Sequence, residues 1–105
     1  METRQKLNIK LHQYSTLKVR IEIAKENNNT KELEQLHSEY EKWNNVIEEV
    51  AKTKPNQAYT LNAYYLENKS LAEISVALKN NINTCNSILY LAKNTLIDTK
   101  LWKEL

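Results

Sequence analysis

Apolar residues recur at every third or fourth position along most of the chain, the spacing that places them on one face of an α-helix. One such stretch covers about residues 3–26 and a second about residues 31–52. Three consecutive asparagines, at 27–29, separate the two, and asparagine both ends helices and favours turns. We therefore predict two long amphipathic helices that form an antiparallel hairpin. The second helix keeps a heptad spacing at Leu33, Leu36, Tyr40, Trp43, Ile47 and Val50.

Charge is distributed unevenly between these two helices. The first begins basic, with Arg4 and Lys6 near its start, whereas the second is rich in glutamate and ends close to Glu48 and Glu49. In an antiparallel hairpin these ends meet, so we expect the charges to pair across it. Each exposed pair would add at most ~1 kcal/mol. The alternative interpretation is a basic first helix that lies on phosphate groups.

A boundary falls at Pro55, because proline cannot continue a helix and disfavours helical geometry in the residue before it. It divides the chain into a hairpin, residues 1–54, and a second unit, residues 55–105. Three shorter helices fit the second unit, at about 57–66, 71–78 and 82–97. Ser70 and Glu73 have the spacing of a capping box at the start of the middle helix. Small residues at Ala77 and Cys85 would let the last two helices cross closely. The predicted fold is all-α, a hairpin followed by a tri-helical helix-turn-helix.

The composition argues against several classes of function. The 105 residues include no glycine, which argues against a phosphate-binding loop and a dinucleotide fingerprint. The single cysteine, Cys85, cannot form an internal disulfide and is predicted to be a small buried residue. His12 and His37 have no partners at metal-ligand spacing. We expect no catalysis, no cofactor and no metal. The absence of a long apolar run predicts no signal peptide and no membrane span, hence a cytoplasmic protein.

The second unit also carries a longer pattern of residues. It comprises Tyr64-Tyr65, Ser70-Leu71-Ala72-Glu73-Ile74-Ser75, Leu78, Thr84-Cys85-Asn86-Ser87, Leu89, Ala92 and Leu96. This pattern resembles the C-terminal helix-turn-helix of bacterial sigma factors. It is more similar still to short phage late-gene transcription regulators of the ArpU, RinA and LtrC kind. The resemblance implies a regulator encoded by a phage or mobile element that binds double-stranded DNA and acts with RNA polymerase or another regulatory protein.

In that family the helix equivalent to residues 82–97 enters the major groove of DNA. The resemblance therefore implies base contacts from Asn83, Thr84, Asn86 and Ser87, and backbone contacts from Lys79, Asn81 and Lys93. Asparagine can bind adenine through two hydrogen bonds, and a threonine methyl can contact the methyl of thymine. Such a site would prefer A·T-rich DNA. Because Lys93 is the only basic residue of this helix, we expect weak binding by a monomer and a homodimer as the active form.

An apolar edge on the same helix favours a different class of function. Ile88 and Leu91 occupy positions that are basic in the family, and an exposed apolar patch more often marks a protein interface than a nucleic-acid surface. With Trp43 and Trp102 they are the candidate interface residues. The alternative hypothesis is a protein-interaction module, a small inhibitor or adaptor that binds a protein through this edge and the hairpin. A third alternative, a DNA-packaging subunit, would require a ring-forming oligomer.

Overall fold

The computed structural model describes residues 2–105, and all regular secondary structure in that range is helical. The α-helices are α1 (Thr3–Ser15), α2 (Leu17–Glu26), α3 (Thr30–Ala51), α4 (Pro55–Leu61), α5 (Leu71–Leu78) and α6 (Ile82–Asp98). A π-helical turn, Asn62–Leu66, extends α4, and a 3-10 turn, Leu101–Glu104, follows α6. The predicted all-α class is confirmed over the described residues.

The first predicted helix is broken at Thr16. The Thr16 backbone N–H bonds to the carbonyl of Gln13, three residues back, at 3.3 Å, and its hydroxyl donates to the same carbonyl at 3.1 Å. A threonine hydroxyl that bonds locally competes with the helical ladder. The prediction of one continuous helix over 3–26 was therefore wrong. As a result α1 contacts the π-helical turn and α6, whereas α2 packs against α3.

The asparagine-rich turn between α2 and α3 forms as its sequence predicts. Asn28 adopts a left-handed conformation with φ of 52°, and Asn29 Oδ1 accepts the Glu32 backbone N–H at 3.2 Å as the cap of α3. Arg20 on α2 forms an ion pair with Glu39 on α3, at 3.0 Å from one carboxylate oxygen and 3.2 Å from the other. Opposite charges therefore pair between α2 and α3, but the pair is not one of those that the charge pattern predicted.

The expected pairing of Arg4 and Lys6 with Glu48 and Glu49 does not form among the described residues. Because the start of α1 packs against α6, Arg4 donates a hydrogen bond to Asn94, while Glu49 pairs with Lys52 at 2.8 Å. The heptad pattern on α3 also needs one correction. Tyr40 is exposed and Val46 is buried in its stead.

One hydrophobic core spans both sides of Pro55. Its fully buried members on the N-terminal side are Leu7, Leu11, Tyr14, Leu17, Ala24, Leu36, Trp43, Val46 and Val50. Those on the C-terminal side are Ala58, Leu61, Leu66, Leu89, Ala92 and Leu96. Leu101, Trp102 and Leu105 cover an edge of this core, and Lys10 Nζ donates to the Leu105 carbonyl at 2.7 Å. The first half of the chain therefore packs on its own second half.

An aromatic pair lies at the centre of this shared core. The Tyr14 ring stacks on Trp43 with 4.3 Å between centroids, and its hydroxyl donates to Asn62 Oδ1 at 2.9 Å. Burial is the main cause that raises the pKa of Tyr14 above its ordinary value, and the nearby Tyr40 and Glu67 raise it further. The protonated phenol is thus the form that the fold requires.

Replacement of Tyr14 by phenylalanine should lower the free energy of unfolding by about 1 kcal/mol at neutral pH, because one buried hydrogen bond is lost. A tyrosine with a raised folded-state pKa stabilises the fold fully below its unfolded pKa of about 10 and loses that contribution as pH rises further. The free energy of unfolding of the wild type, measured in urea, should therefore fall above pH 10. That of Tyr14→Phe should fall less. Tyr90→Phe, on an exposed ring, is the matched control. Equal alkaline weakening in both variants would contradict the assignment.

Candidate functional site

Helices α5 and α6 are both fixed at their N-termini by side-chain caps. Ser70 Oγ accepts the Glu73 backbone N–H at 3.1 Å, and the Glu73 carboxylate accepts the Ser70 N–H at 3.2 Å. The predicted capping box is therefore confirmed. Asn81 Oδ1 caps α6 by accepting the Thr84 N–H at 2.7 Å. The side-chain oxygen of Asn81 is thus engaged by the helix cap, which leaves its side-chain N–H group free of that bond.

The turn between α5 and α6 is only three residues long, 79–81. Lys79 ends α5 in the left-handed conformation, with φ of 56°, a position that glycine usually occupies. The Asn80 N–H closes the helix end by bonding to the Ser75 carbonyl at 3.0 Å. Lys79 is exposed and precedes Ile82, the first residue of α6, by three positions.

A small apolar cluster holds α5 against α6. Ala63, Ile74 and Cys85 are fully buried in it, with Leu71 and Leu78 packed around them. The prediction for Cys85 is confirmed, since its thiol is buried. The prediction for Ala77 was wrong, because it lies on the exposed side of α5. The small residue at this contact is Ala63 of the π-helical turn, on an element that the sequence pattern did not connect with α6.

Polar side chains occupy the exposed surface of the first half of α6. Asn83, Asn86 and Ser87 are exposed and Thr84 is half-buried. Ser87 Oγ donates to the Asn83 carbonyl at 3.1 Å, so its proton is used within the helix. Within residues 2–105 no hydrogen bond engages the side-chain amide of Asn83 or Asn86. Both amides are therefore available to a ligand that offers a donor and an acceptor.

Arg4 of α1 contacts α6 through its side chain and was not among the predicted site residues. Its guanidinium is 5.1 Å from the centre of the Tyr90 ring and donates to Asn94. Tyr90 is exposed and lies one helical turn beyond Asn86 and Ser87. A usable signal was present in the sequence, since Arg4 precedes Leu7 by three positions and so shares the buried stripe of α1. The charged groups at α6 are Arg4, which reaches it from α1, Lys93, and the exposed carboxylate of Asp98 at its C-terminal end.

The predicted interface residues fall into different environments. Leu91 is 50% exposed, and Ile88 is half-buried beside the start of α4. Trp102 is half-buried against the core. Trp43 is only 2% exposed and stacks on Tyr14, so the prediction that it belongs to an exposed interface was wrong. Its place in the heptad pattern reflects the core of this chain rather than a surface for a partner.

A polar groove of about 580 Å³ lies between α1, the π-helical turn and the start of α5. His12, Ser15 and Glu73 line it together with Tyr64 and Tyr65. Ser15 Oγ donates to the His12 backbone carbonyl at 2.6 Å, and Glu73 serves as the cap of α5. Burial, followed by the proximity of Tyr64, raises the pKa of Tyr65 to about 12, so its hydroxyl stays protonated at neutral pH. The groove therefore offers hydrogen-bond donors and acceptors to a ligand.

Residues 2–105 show neither a metal-binding cluster nor a membrane-spanning helix. No group of three or more His, Cys, Asp or Glu side chains in this range is arranged to hold a metal ion. Nor does any helix of this range combine the length and apolar character that crossing a membrane requires. Comparison of the chain with models of protein families, with curated proteins and with solved structures finds no match.

Proposed function

We propose that the chain is a DNA-binding transcription regulator in which α4 with its π-helical turn, α5 and α6 act as a tri-helical helix-turn-helix. Helix α6 is the element that enters the major groove. Support comes from the three-residue turn at 79–81 and from the close packing of Ile74, Ala63 and Cys85. A short turn and small buried residues are what two helices of such a unit need in order to cross closely.

The observation that carries the proposal is the pair of unengaged amides on the exposed surface of α6. Asn83 and Asn86 lie on successive turns near the N-terminus of α6, the part of a recognition helix that reaches base edges. Each amide can satisfy the N6 and N7 atoms of one adenine. Ser87 and Thr84 flank them, so the preferred site is A·T-rich.

Backbone contacts complete the proposed interface. Lys79 at the turn, Lys93 on α6 and Arg4 on α1 supply the positive charge, and Asn81 supplies its side-chain N–H group. The resemblance of the chain to phage late-gene regulators supports a cytoplasmic protein encoded by a phage or mobile element. RNA polymerase is the proposed protein partner and a homodimer the proposed form.

Salt dependence of duplex binding tests this proposal. Three phosphate contacts per chain predict a slope of log K against log salt of roughly −2.7, since each contact adds about −0.9. Arg4→Ala should reduce the steepness by about 0.9, because one contact is lost. Fluorescence anisotropy with a labelled duplex measures both slopes.

Lys31→Ala is the matched control, since Lys31 is an exposed cation at the start of α3. It should leave the salt slope of the wild type unchanged. Duplex affinity that does not change with salt concentration would contradict the proposed surface. So would an equal change of the salt slope in Arg4→Ala and Lys31→Ala.

Exposure of Leu91 favours a second candidate function. This side chain borders an open groove of about 370 Å³ that Lys54, Gln57 and Asp98 also line. A protein-interaction module would use this edge and Ile88 to bind a protein, as an inhibitor or adaptor. Leu91→Ser would then abolish capture of the partner without any change in DNA affinity, and the interaction would persist at high salt.

A further inference from the structure

The outward surface of α2 carries two exposed aliphatic side chains that are not members of the buried core. Val19 is 58% exposed and Ile23 is 51% exposed, and they lie one helical turn apart. The opposite surface of α2 holds Leu17 and Ala24, which are buried against the core. Isolated exposed aliphatics are common, but two adjacent β-branched side chains form a patch. They line an open depression of about 520 Å³ on this helix.

Charged residues along the same depression follow a definite order. Lys18 comes first, and Glu22 and Glu26 follow one and two turns later. None of these three belongs to an ion pair within residues 2–105, whereas Arg20 is already paired with Glu39. The patch therefore presents a cation at its start, an unpaired carboxylate near its middle and a second one at its end.

We infer that this α2 surface binds a second copy of the same chain, with the two α2 helices antiparallel. A two-fold axis near Ile21 would place Val19 of one copy against Ile23 of the other. The same axis brings Lys18 of one copy beside Glu22 and Glu26 of the other, and the reverse pair forms at the same time. A parallel arrangement would instead align Glu22 with Glu22 and Glu26 with Glu26. The antiparallel sense thus brings each Lys18 to two carboxylates of the other copy, and it also brings the two Glu22 side chains near the axis, whereas a parallel arrangement pairs every charge with its own kind.

The size of the patch sets the strength of this contact. Ten residues of helix span about 15 Å, so the buried area falls below that of a standard stable interface. The dimer is therefore weak and reversible, and it forms at micromolar or higher concentrations. This inference does not depend on DNA binding, since α2 holds none of the residues proposed to contact DNA.

Charge reversal with sedimentation equilibrium tests the inference. Lys18→Glu makes the patch wholly acidic, and Glu22→Lys with Glu26→Lys makes it wholly basic. Each variant alone should dimerise at least about tenfold more weakly than the wild type, because like charges then face each other. An equimolar mixture of the two should dimerise again as a mixed pair. A folding defect cannot produce that recovery, so the mixture separates an interface effect from instability.

Removal of the aliphatic side chains provides the second arm. Val19→Ser with Ile23→Ser should weaken the dimer at least about tenfold, because its apolar contact is lost. Val76→Ser with Ile9→Ser, on β-branched side chains that are 79% and 49% exposed elsewhere, is the matched control and should leave dimerisation intact. A wild-type chain that stays monomeric at submillimolar concentration would overturn the inference. So would a mixture of charge variants that stays monomeric, or dimerisation that only the control pair disrupts.

Discussion

Alanine at both Asn83 and Asn86 is expected to lower affinity for a duplex selected by the wild-type chain at least about 30-fold. Each two-bonded asparagine–adenine contact discriminates by about 1–3 kcal/mol, and two such contacts are lost. Binding to a random duplex should change little, because the phosphate contacts of Lys79, Lys93 and Arg4 remain. The stability of the fold should also change little, since both amides are exposed and hold no partner within residues 2–105.

The matched control is Asn44→Ala with Asn45→Ala, two adjacent exposed asparagines on α3. This pair should keep the affinity of the wild type for the selected duplex, which anisotropy titrations can measure beside the α6 variant. An α6 variant that binds the selected duplex as tightly as the control would remove Asn83 and Asn86 from the reading surface.

Trp43→Ala is expected to lower the free energy of unfolding by about 3–5 kcal/mol, a large part of the stability of a chain this size. The indole is fully buried and stacks on Tyr14, which is hydrogen-bonded to the π-helical turn. Because one core spans Pro55, both halves of the chain should lose structure together. Urea unfolding followed by circular dichroism and by Trp102 fluorescence should therefore give one coincident transition.

Trp102→Ala is the control, since it removes an aromatic ring from a half-buried site. It should lower the free energy of unfolding much less than Trp43→Ala does. Two separate transitions in the Trp43→Ala variant would contradict a shared core. They would instead indicate that residues 1–54 and 55–105 unfold independently.

The ends of several helices were predictable because they depend on local chemistry. The cap at Asn29 and the capping box of Ser70 with Glu73 join side chains and backbone within a few residues, and Pro55 marks the boundary between α3 and α4, although α4 begins there rather than at the predicted residue 57. Such contacts can be read from spacing alone. The exposure of Asn83, Asn86 and Ser87 was predictable for a similar reason, since the buried stripe of Cys85, Leu89 and Leu96 leaves them on the opposite surface.

The parts that were missed depend on which elements pack together. The end of α1 at Thr16 was missed because valine and isoleucine continue the apolar periodicity to residue 23, although Ser15 and Thr16 carry hydroxyls that bond the backbone locally. That break carries α1 onto α6 and brings Arg4 to Tyr90, away from Glu48. Ala77 and Ala63 are equally small, and only the packing of the π-helical turn decides which of them is buried. The charge of the proposed interface was therefore underestimated from the sequence.

Thiol protection by DNA tests the proposed reading surface most directly. Cys85 is fully buried, so Ser87→Cys and His37→Cys each supply an exposed thiol, one on α6 and one on α3. The rate of alkylation is measured with and without an A·T-rich duplex at low salt. We predict that DNA slows alkylation severalfold in Ser87→Cys and leaves the rate unchanged in His37→Cys. Equal rates in Ser87→Cys with and without DNA, or equal protection of both thiols, would contradict the assignment of α6 as a DNA-reading helix.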